Sequence, residues 1–283
     1  MSRKSSTKRT RNYGSDEYWI DRYATNSPDN DETNEWLLSA AQLGPLLSRS
    51  LPKNATVVDV GCGNSTLVFD LLRDTLVGDG CRAVGVDIAP GAIAALAQEQ
   101  RERVRRGEKS ARRAELLVAD LTSPSSKRWI DACHGGLDAC IDKSTTDGML
   151  CDIKCGADRV RAMYEVIGRE LKPKALVVVV SWRSPDDDLA WLLDVVLGGL
   201  RAGSELGKDG AVDNDVPVSI WSLDIHSVAS GDDHVSASPH VYLLSKHPRR
   251  VLRRKSAARR GDAIGQLEAA EELMTVRQHF YDA

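Results

Sequence analysis

The chain has 283 residues, 42% of them hydrophobic, with 22 Gly and 10 Pro, so it can bury one substantial core and is neither collagen-like nor wholly disordered. Its 38 Lys and Arg against 41 Asp and Glu give a formal net charge of −3, which excludes a global basic field for nucleic acid or anionic lipid. The longest apolar run, 175–180, is far shorter than the ~20 residues of a membrane-spanning helix. We therefore expect one globular domain with tails, and neither a membrane nor a nucleic acid as partner.

The first 13 residues are basic and rich in Ser and Thr, which indicates a disordered tail. The tail has no acids, as in a mitochondrial transit peptide, but it has no apolar face; that location stays open as an alternative. The six cysteines are scattered without a Cys-x-x-Cys pair or a secretory leader, so we expect reduced thiols in the cytoplasm. Cys151 and Cys155 have no histidines nearby, and we expect no metal site.

From residue 55 onward, short apolar runs alternate with longer stretches of helical periodicity. Such alternation predicts parallel β-α-β units, and fully apolar strands predict a sheet covered by helices on both faces. The predicted strands are 55–60, 83–87, 115–119, 137–141 and 175–181. The predicted helices are 66–72, 90–106, 157–171 and 186–200.

The order of elements changes after a Gly- and Asp-rich loop at 202–215. Two strand-like runs, 218–226 and 240–246, have no helix between them and predict an antiparallel pair at the end of the sheet. Residues 248–283 form a charged C-terminal extension, in which 262–280 are expected to be a helix.

The sharpest local feature is the run Val-Val-Asp-Val-Gly-Cys-Gly-Asn-Ser at 57–65, where the first strand ends. Gly61 and Gly63 permit a tight turn and close approach to a ligand, and the next helix points its N–H groups toward the same space. A dinucleotide site requires a third glycine where this chain has Thr66, and no Gly-Lys-Ser/Thr run is present. With dinucleotides and nucleoside triphosphates set aside, the glycine turn indicates a ligand that has an adenosine-like part and no pyrophosphate.

Two further acids stand at successive strand ends. Asp87 ends the second strand, where a carboxylate accepts hydrogen bonds from ribose hydroxyls, and Asp120 follows the third, where it meets an adenine amino group. Together with Asp59 and the glycine turn, they indicate an adenosine site far more strongly than either acid does alone.

These segments resemble a known family. The runs 59–65, 85–88 and 119–122 look like the successive motifs of seven-β-strand S-adenosyl-L-methionine-dependent methyltransferases. The run Ile-Asp-Lys-Ser-Thr-Thr-Asp-Gly at 141–148, and Tyr-Trp and Glu-Trp elements within 14–36, resemble the methyltransferase-like group that modifies lysines of elongation factor 1A and of citrate synthase.

The resemblance implies a Rossmann-like, seven-stranded, mostly parallel sheet at 55–247, behind a cofactor-covering segment at 14–54. In that segment we expect the aromatic side chains of Tyr18, Trp19, Tyr23 and Trp36 to close over the cofactor. The implied cofactor residues are Trp19, Tyr23, Asp59, Gly61, Gly63, Asn64, Asp87, Ile88, Asp120, Leu121 and Lys143.

Within 141–148 the chain departs from the family: Ser144 replaces the usual Gly, Thr146 the usual Leu and Gly148 the usual Ala. These positions lie where the substrate would enter, so the cofactor is the firmer expectation and the acceptor the weaker one.

Methyl transfer from a sulfonium requires in-line attack by a neutral nucleophile, so positioning supplies most of the catalysis. A lysine acceptor must first lose its proton, and we hypothesise that Asp142 or Asp147 orients the amine or assists that loss, beside Lys143. The best prediction is methylation of an accessible lysine in a protein substrate. A small-molecule methyltransferase and a catalytically silent adaptor that uses its basic segment at 249–260 remain alternatives.

Overall fold

The computed structural model describes residues 11–24, 35–73, 80–123, 127–133, 136–186, 189–205, 220–228, 239–247 and 274–281. Most of the predicted basic tail, the extension at 248–273 and parts of several loops lie outside these residues. Within the described ranges, no helix is long and apolar enough to cross a membrane, and no group of three or more His, Cys, Asp or Glu side chains could bind a metal ion.

In the described residues, the strands form one sheet of eight, in the order β3-β2-β1-β4-β5-β7-β6-β8. The first five strands are parallel, and β7 runs antiparallel to both β5 and β6. This sheet confirms the predicted mostly parallel, Rossmann-like fold class with an antiparallel pair, and it has one strand more than the seven predicted. The strands are β1 (Thr56–Val60), β2 (Arg82–Asp87), β3 (Ala114–Val118), β4 (Leu137–Lys143), β5 (Leu171–Ser181), β6 (Ile220–Val228), β7 (His240–His247) and β8 (Met274–Tyr281).

Helices cover both faces of the sheet, and a 3₁₀ turn at Lys109–Arg113 leads into β3. The helices are α1 (Asp16–Arg22), α2 (Ala40–Ser50), α3 (Leu67–Asp70), α4 (Pro90–Arg105), α5 (Lys127–Ala132), α6 (Thr145–Met149), α7 (Gly156–Glu170) and α8 (Gly198–Glu205). Directly before α8, Trp191–Leu197 form a π-helical segment, so the predicted helix at 186–200 starts later and ends later than expected.

The core lies on both sides of the central strands. Val177 and Val179 point into one hydrophobic cluster, and Val178 and Val180 point into the other; all four are fully buried. A strand with both faces covered needs no polar residue, which explains the continuous apolar run that the sequence shows there.

The prediction of a helix over 262–280 is wrong for its last part, because Met274–Tyr281 form β8, parallel to β6. The residues before 274 lie outside the described ranges. The segment Met-Thr-Val-Arg-Gln-His-Phe-Tyr is rich in β-branched and aromatic residues, which favour a pleated conformation. The open edge of β6 supplies the backbone partners that fix it as a strand.

Two short helices precede β1 in the segment predicted to cover the cofactor. The first begins where the Ser15 hydroxyl accepts a hydrogen bond from the Tyr18 N–H, with acidic residues in its first turn. The second begins at a capping box between Ser39 and Gln42. The chain between them, 25–34, is outside the described residues.

Candidate functional site

A cavity lies where the carboxyl ends of β1, β2, β3 and β4 meet, with α1 over it. Open α/β sheets bind their ligands at this edge. The predicted site residues that line it are Trp19, Tyr23, Asp59, Gly61, Gly63, Asp87, Ile88, Asp120, Leu121 and Lys143. Three predicted residues, Asn64, Asp142 and Asp147, are not part of its lining.

Both glycines of the turn after β1 have positive φ, +62° at Gly61 and +54° at Gly63. A Cβ at Gly61 would lie 2.1 Å from the Thr145 Oγ1, and one at Gly63 would lie 2.6 Å from the Tyr23 hydroxyl. From the sequence, these glycines are expected because a ligand approaches the backbone closely. In the structure, they are also required by contacts with α6 and with the cofactor-covering segment.

Asp87 holds this turn in place from the end of β2. One of its carboxylate oxygens accepts a hydrogen bond from the Gly63 N–H at 2.8 Å and the other from the Ala89 N–H at 2.8 Å. Burial raises the pKa of this carboxyl, and the backbone N–H groups oppose the shift. Because each carboxylate oxygen has a second lone pair, the same group can still accept hydrogen bonds from ribose hydroxyls.

Asp59 of β1 is buried beside the cavity, and one of its carboxylate oxygens has no hydrogen-bond partner. Burial raises the pKa of Asp59 to about 7, and the nearby Lys143 ammonium opposes the shift. An acceptor without a partner in a low-dielectric site is costly unless a ligand supplies a donor. Asp59 therefore marks a place for a ligand N–H group.

Asp120 follows β3 in a tight local turn. One of its oxygens accepts hydrogen bonds from both the backbone N–H and the hydroxyl of Thr122, at 2.8 and 2.6 Å. These bonds fix the carboxylate beside Leu121 in the cavity wall, which Ile88, after β2, also lines.

Asp142 is fully buried one residue before the end of β4. Its oxygens accept hydrogen bonds from the Thr145 N–H, the Thr146 hydroxyl and the Tyr164 hydroxyl, at 2.9, 2.6 and 2.7 Å. Burial raises the pKa of Asp142 to about 6, while the Thr146 and Tyr164 bonds lower it. Asp142 accepts hydrogen bonds from the first N–H groups of α6 and does not line the cavity.

Asp147 lies on α6 but faces the end of β5. Its carboxylate accepts hydrogen bonds from the Ser181 hydroxyl at 2.7 Å and the Trp182 N–H at 3.0 Å, and an Arg183 nitrogen lies 3.5 Å away. Asp142 and Asp147 thus hold opposite sides of one short helix.

Between them, Ser144 adopts φ +69°, a left-handed conformation that is costly for any residue with a Cβ. Its hydroxyl oxygen is buried without a hydrogen-bond partner, although the residue lines the cavity. A glycine at this position would adopt the conformation without strain.

Lys143 has an acidic partner that the sequence analysis did not include among the site residues. Its ammonium lies 2.5 Å from a carboxylate oxygen of Glu35, and its side chain is only 5% exposed. The two residues are 108 positions apart, so no spacing rule could pair them. The Glu-Trp element of the cofactor-covering segment was the one signal that pointed to Glu35.

An aromatic cover, made of Tyr13, Tyr18, Trp19, Tyr23 and Trp36, lies over the cavity. Trp19 is central: its ring is stacked with Tyr23 and lies 5.8 Å from Tyr13 and 5.9 Å from Trp36, centroid to centroid. Tyr18 packs on Tyr13 and Trp19 and does not line the cavity. The position of Tyr13 was not predicted, although it lines the cavity.

The cover is anchored to α7 by Arg159, which lines the cavity and was also not predicted. Its guanidinium donates to the Gly14 carbonyl at 3.0 Å and forms an ion pair with Asp16. At the other end of α1, burial raises the pKa of the Tyr23 hydroxyl to about 12, so that it remains a neutral donor.

Comparison with known proteins gives a family for this arrangement. A family model described as a methyltransferase domain matches residues 51–193, half of the chain. No curated protein matches the chain by sequence.

Among solved structures, similar chains include a putative rRNA-methylase from Clostridium thermocellum (16% identity, TM-score 0.47, 77% of this chain and 100% of that one). Another is precorrin-6y C5,15-methyltransferase from Geobacter metallireducens (13% identity, TM-score 0.48, 78% and 95%). A third is magnesium protoporphyrin IX methyltransferase from Synechocystis with bound SAM (15% identity, TM-score 0.43, 74% and 78%). These likenesses are weak and indicate nothing about the acceptor of this chain.

Proposed function

Because this chain belongs to the methyltransferase domain family, we propose that it transfers a methyl group from S-adenosyl-L-methionine to the amine of a lysine side chain in a protein. The observation that carries the proposal is the cavity, in which carboxylates from successive strand ends face an aromatic cover. The lysine acceptor rests on the resemblance of residues 141–148 and on the charge of the lining.

The residues present fit S-adenosyl-L-methionine. Asp59 offers an oxygen without a partner to an ammonium group, and Asp87 and Asp120 offer carboxylates to ribose hydroxyls and an adenine amine. When bound, the cofactor supplies a methyl group on a positively charged sulfonium. The rings of Trp19 and Tyr23 are suited to a cation, because an aromatic face carries partial negative charge.

The charge balance of the lining favours a cationic acceptor. Asp16, Asp59, Asp87 and Asp120 line the cavity, whereas its two basic residues are each ion-paired with an acid. Because Asp16 is the partner of Arg159, and Lys143 is paired with Glu35, the excess negative charge of the lining comes from Asp59, Asp87 and Asp120. Such a lining attracts a lysine side chain and the cofactor alike, and it opposes an anionic substrate.

We assign different work to the two acids proposed for catalysis. Asp142 acts through α6: it fixes the N–H groups of Thr145 and Thr146, and with them the wall beside Lys143. Asp147 joins α6 to the end of β5 outside the cavity lining, and we propose that it orients the incoming amine indirectly, through the position of that helix. Both roles are positioning, which is the main requirement of this reaction.

The test is transfer of label from methyl-labelled S-adenosyl-L-methionine into a whole-cell lysate. We expect label in a protein band, in lysine after hydrolysis, with the wild type and with Asp131→Asn, a matched control at an exposed position of α5. Asp87→Asn should lose the label, because one of its two backbone N–H partners then faces an amide nitrogen.

Label confined to small molecules would overturn the protein acceptor and favour the small-molecule alternative. Cofactor binding in calorimetry without transfer to any lysate fraction would favour the silent adaptor. Equal cofactor affinity of Asp87→Asn and wild type would contradict the cofactor site.

A further inference from the structure

Glu35 joins three parts of the site. One oxygen of its carboxylate lies 2.5 Å from the Lys143 ammonium at the end of β4. The other accepts a hydrogen bond from the Thr66 N–H at 3.1 Å, and the Ser65 hydroxyl lies within 3.1 Å of both oxygens. The side chain therefore connects the ends of two strands that the sheet order places side by side.

The contact with Thr66 completes the start of α3. Thr66 is the N-cap of that helix, and its own side chain makes no capping hydrogen bond. The carboxylate of Glu35 accepts from the N–H of the N-cap residue, as the acidic residue of a capping box does, but from a distant part of the chain. It also puts negative charge beside the helix N-terminus, where it is favourable.

The next residue, Trp36, belongs to the aromatic cover. Its ring lies 5.9 Å from that of Trp19 and 6.2 Å from that of Tyr13. Two neighbouring residues thus reach in different directions, Glu35 to Lys143 and the start of α3, and Trp36 into the aromatic cover.

We propose that Glu35 is a positioning residue, which holds the aromatic cover closed by tying Trp36 to Lys143 and to the start of α3. Lys143 then serves as the anchor for this contact, and its ammonium is satisfied by Glu35. The inference rests on the proposed function only for its ligand, S-adenosyl-L-methionine, because the contacts themselves need no ligand.

Glu35→Gln is a sharp test because it is isosteric and leaves one oxygen. Glu35 accepts from Lys143 with one oxygen and from Thr66 with the other, so a glutamine must aim its NH₂ group at one of these donors. If the closed fraction falls to about one tenth, the apparent dissociation constant of S-adenosyl-L-methionine rises about tenfold.

Trypsin reports the position of the cover directly. Arg22 ends α1, and Tyr23 after it is a buried member of the closed cover. We expect ligand-free Glu35→Gln to be cut after Arg22 about tenfold faster than wild type, because cleavage follows the open population. Saturating S-adenosyl-L-methionine should restore the protection, which a general loss of folding would not allow.

Glu165→Gln is the matched control, because it removes a carboxylate of an ion pair on α7, with Arg169, away from the cavity. It should leave both cofactor affinity and cleavage after Arg22 unchanged. A double-mutant cycle with Lys143→Gln tests the route: if Glu35 acts through Lys143, Glu35→Gln adds little in that background. Fully additive effects would overturn the assigned anchor.

Should Glu35→Gln fail to fold, Glu35→Asp keeps the charge but is one methylene too short to reach both donors, and the same increase in cleavage is expected. Wild-type affinity and wild-type cleavage in both variants would overturn the inference and leave the proposed function intact. Absence of binding by the wild type would overturn the proposed function, and the ligand-free cleavage rates would still decide the role of Glu35.

Discussion

Ser144 combines two unfavourable features at one position, a left-handed backbone and a buried hydroxyl without a partner. Each costs about 1 kcal/mol or more, and the extra freedom of an unfolded glycine opposes part of the gain. We predict that Ser144→Gly raises the free energy of unfolding by about 1 kcal/mol, as measured by urea denaturation.

Ser144→Ala separates the two causes, because it removes the hydroxyl and keeps the Cβ at positive φ. We expect it to gain less than the glycine variant. An equal gain would assign the whole effect to the hydroxyl, and a loss in both variants would show that the strain has been overestimated.

Asp59 gives a prediction about pH. Its pKa is about 7 in the folded protein against an ordinary value of 3.8, so the folded state binds the proton more tightly than the unfolded state. Its contribution to stability is therefore present at pH 4 and is lost as the pH rises toward 7. Asp59→Asn removes this dependence. Relative to wild type, its free energy of unfolding should therefore rise by about 2 to 3 kcal/mol between pH 5 and pH 8.

The measurement is chemical denaturation of both proteins at the two pH values, without ligand. Asp131→Asn, an exposed acid on α5, should show no such difference. A constant gap between Asp59→Asn and wild type at pH 5 and pH 8 would mean that Asp59 is ionised throughout this range.

Single residues were predictable where their role follows from the position of a strand end. Asp87 and Asp120 line the cavity for that reason. Asp142 and Asp147 were predicted as alternative catalytic acids, but Asp142, on β4, binds Tyr164, and Asp147, on α6, binds Ser181. Such directions depend on packing, which a linear spacing does not contain.

At the scale of elements, β8 shows where sequence patterns fail. The central strands were predicted within a few residues because burial on both faces leaves a continuous apolar run, as at 175–180 within β5. Met274–Tyr281 has no such run and becomes a strand by pairing with β6, a partner far away in sequence. The predicted domain limits at 13, 54 and 247 stay predictions.

The position of β8 yields an element-scale prediction. β8 pairs with β6 along Trp221–Val228, whereas the cavity lies at the ends of β1 to β4. A chain that ends at residue 261 should lose stability of the order of 2 kcal/mol and associate at high concentration, because the backbone groups of β6 become an open edge.

Its affinity for S-adenosyl-L-methionine should stay within about twofold of wild type, since β5, β7 and β6 separate β8 from the cavity. Denaturation, light scattering and calorimetry measure the three quantities. A chain that lacks residues 1–10 serves as the control for loss of a charged terminus. Unchanged stability on removal of β8 would contradict its place in the sheet.

For the whole molecule, the net charge of −3 conceals a strongly uneven distribution. Four acids, Asp16, Asp59, Asp87 and Asp120, line the cavity, and the sequence is basic near both ends, at 3–11 and 249–260. The overall composition therefore could not reveal the chemistry of the site. The positions of acids at successive strand ends could, because the sheet brings those ends together.

Because the cavity is closed by contacts between the aromatic cover and the sheet, a ligand inside it should stabilise the chain as a unit. S-adenosyl-L-methionine at about 100 times its dissociation constant adds roughly 2.7 kcal/mol, which raises the Tm by about 5 to 10 °C in a protein of this size. NAD and ATP should cause no shift, since Thr66 stands where a dinucleotide turn has glycine and no phosphate-binding Gly-Lys-Ser/Thr run is present. Trp19→Ala removes the centre of the cover and should reduce the shift at the same cofactor concentration. An equal shift of wild type with NAD would contradict a site that does not bind a pyrophosphate.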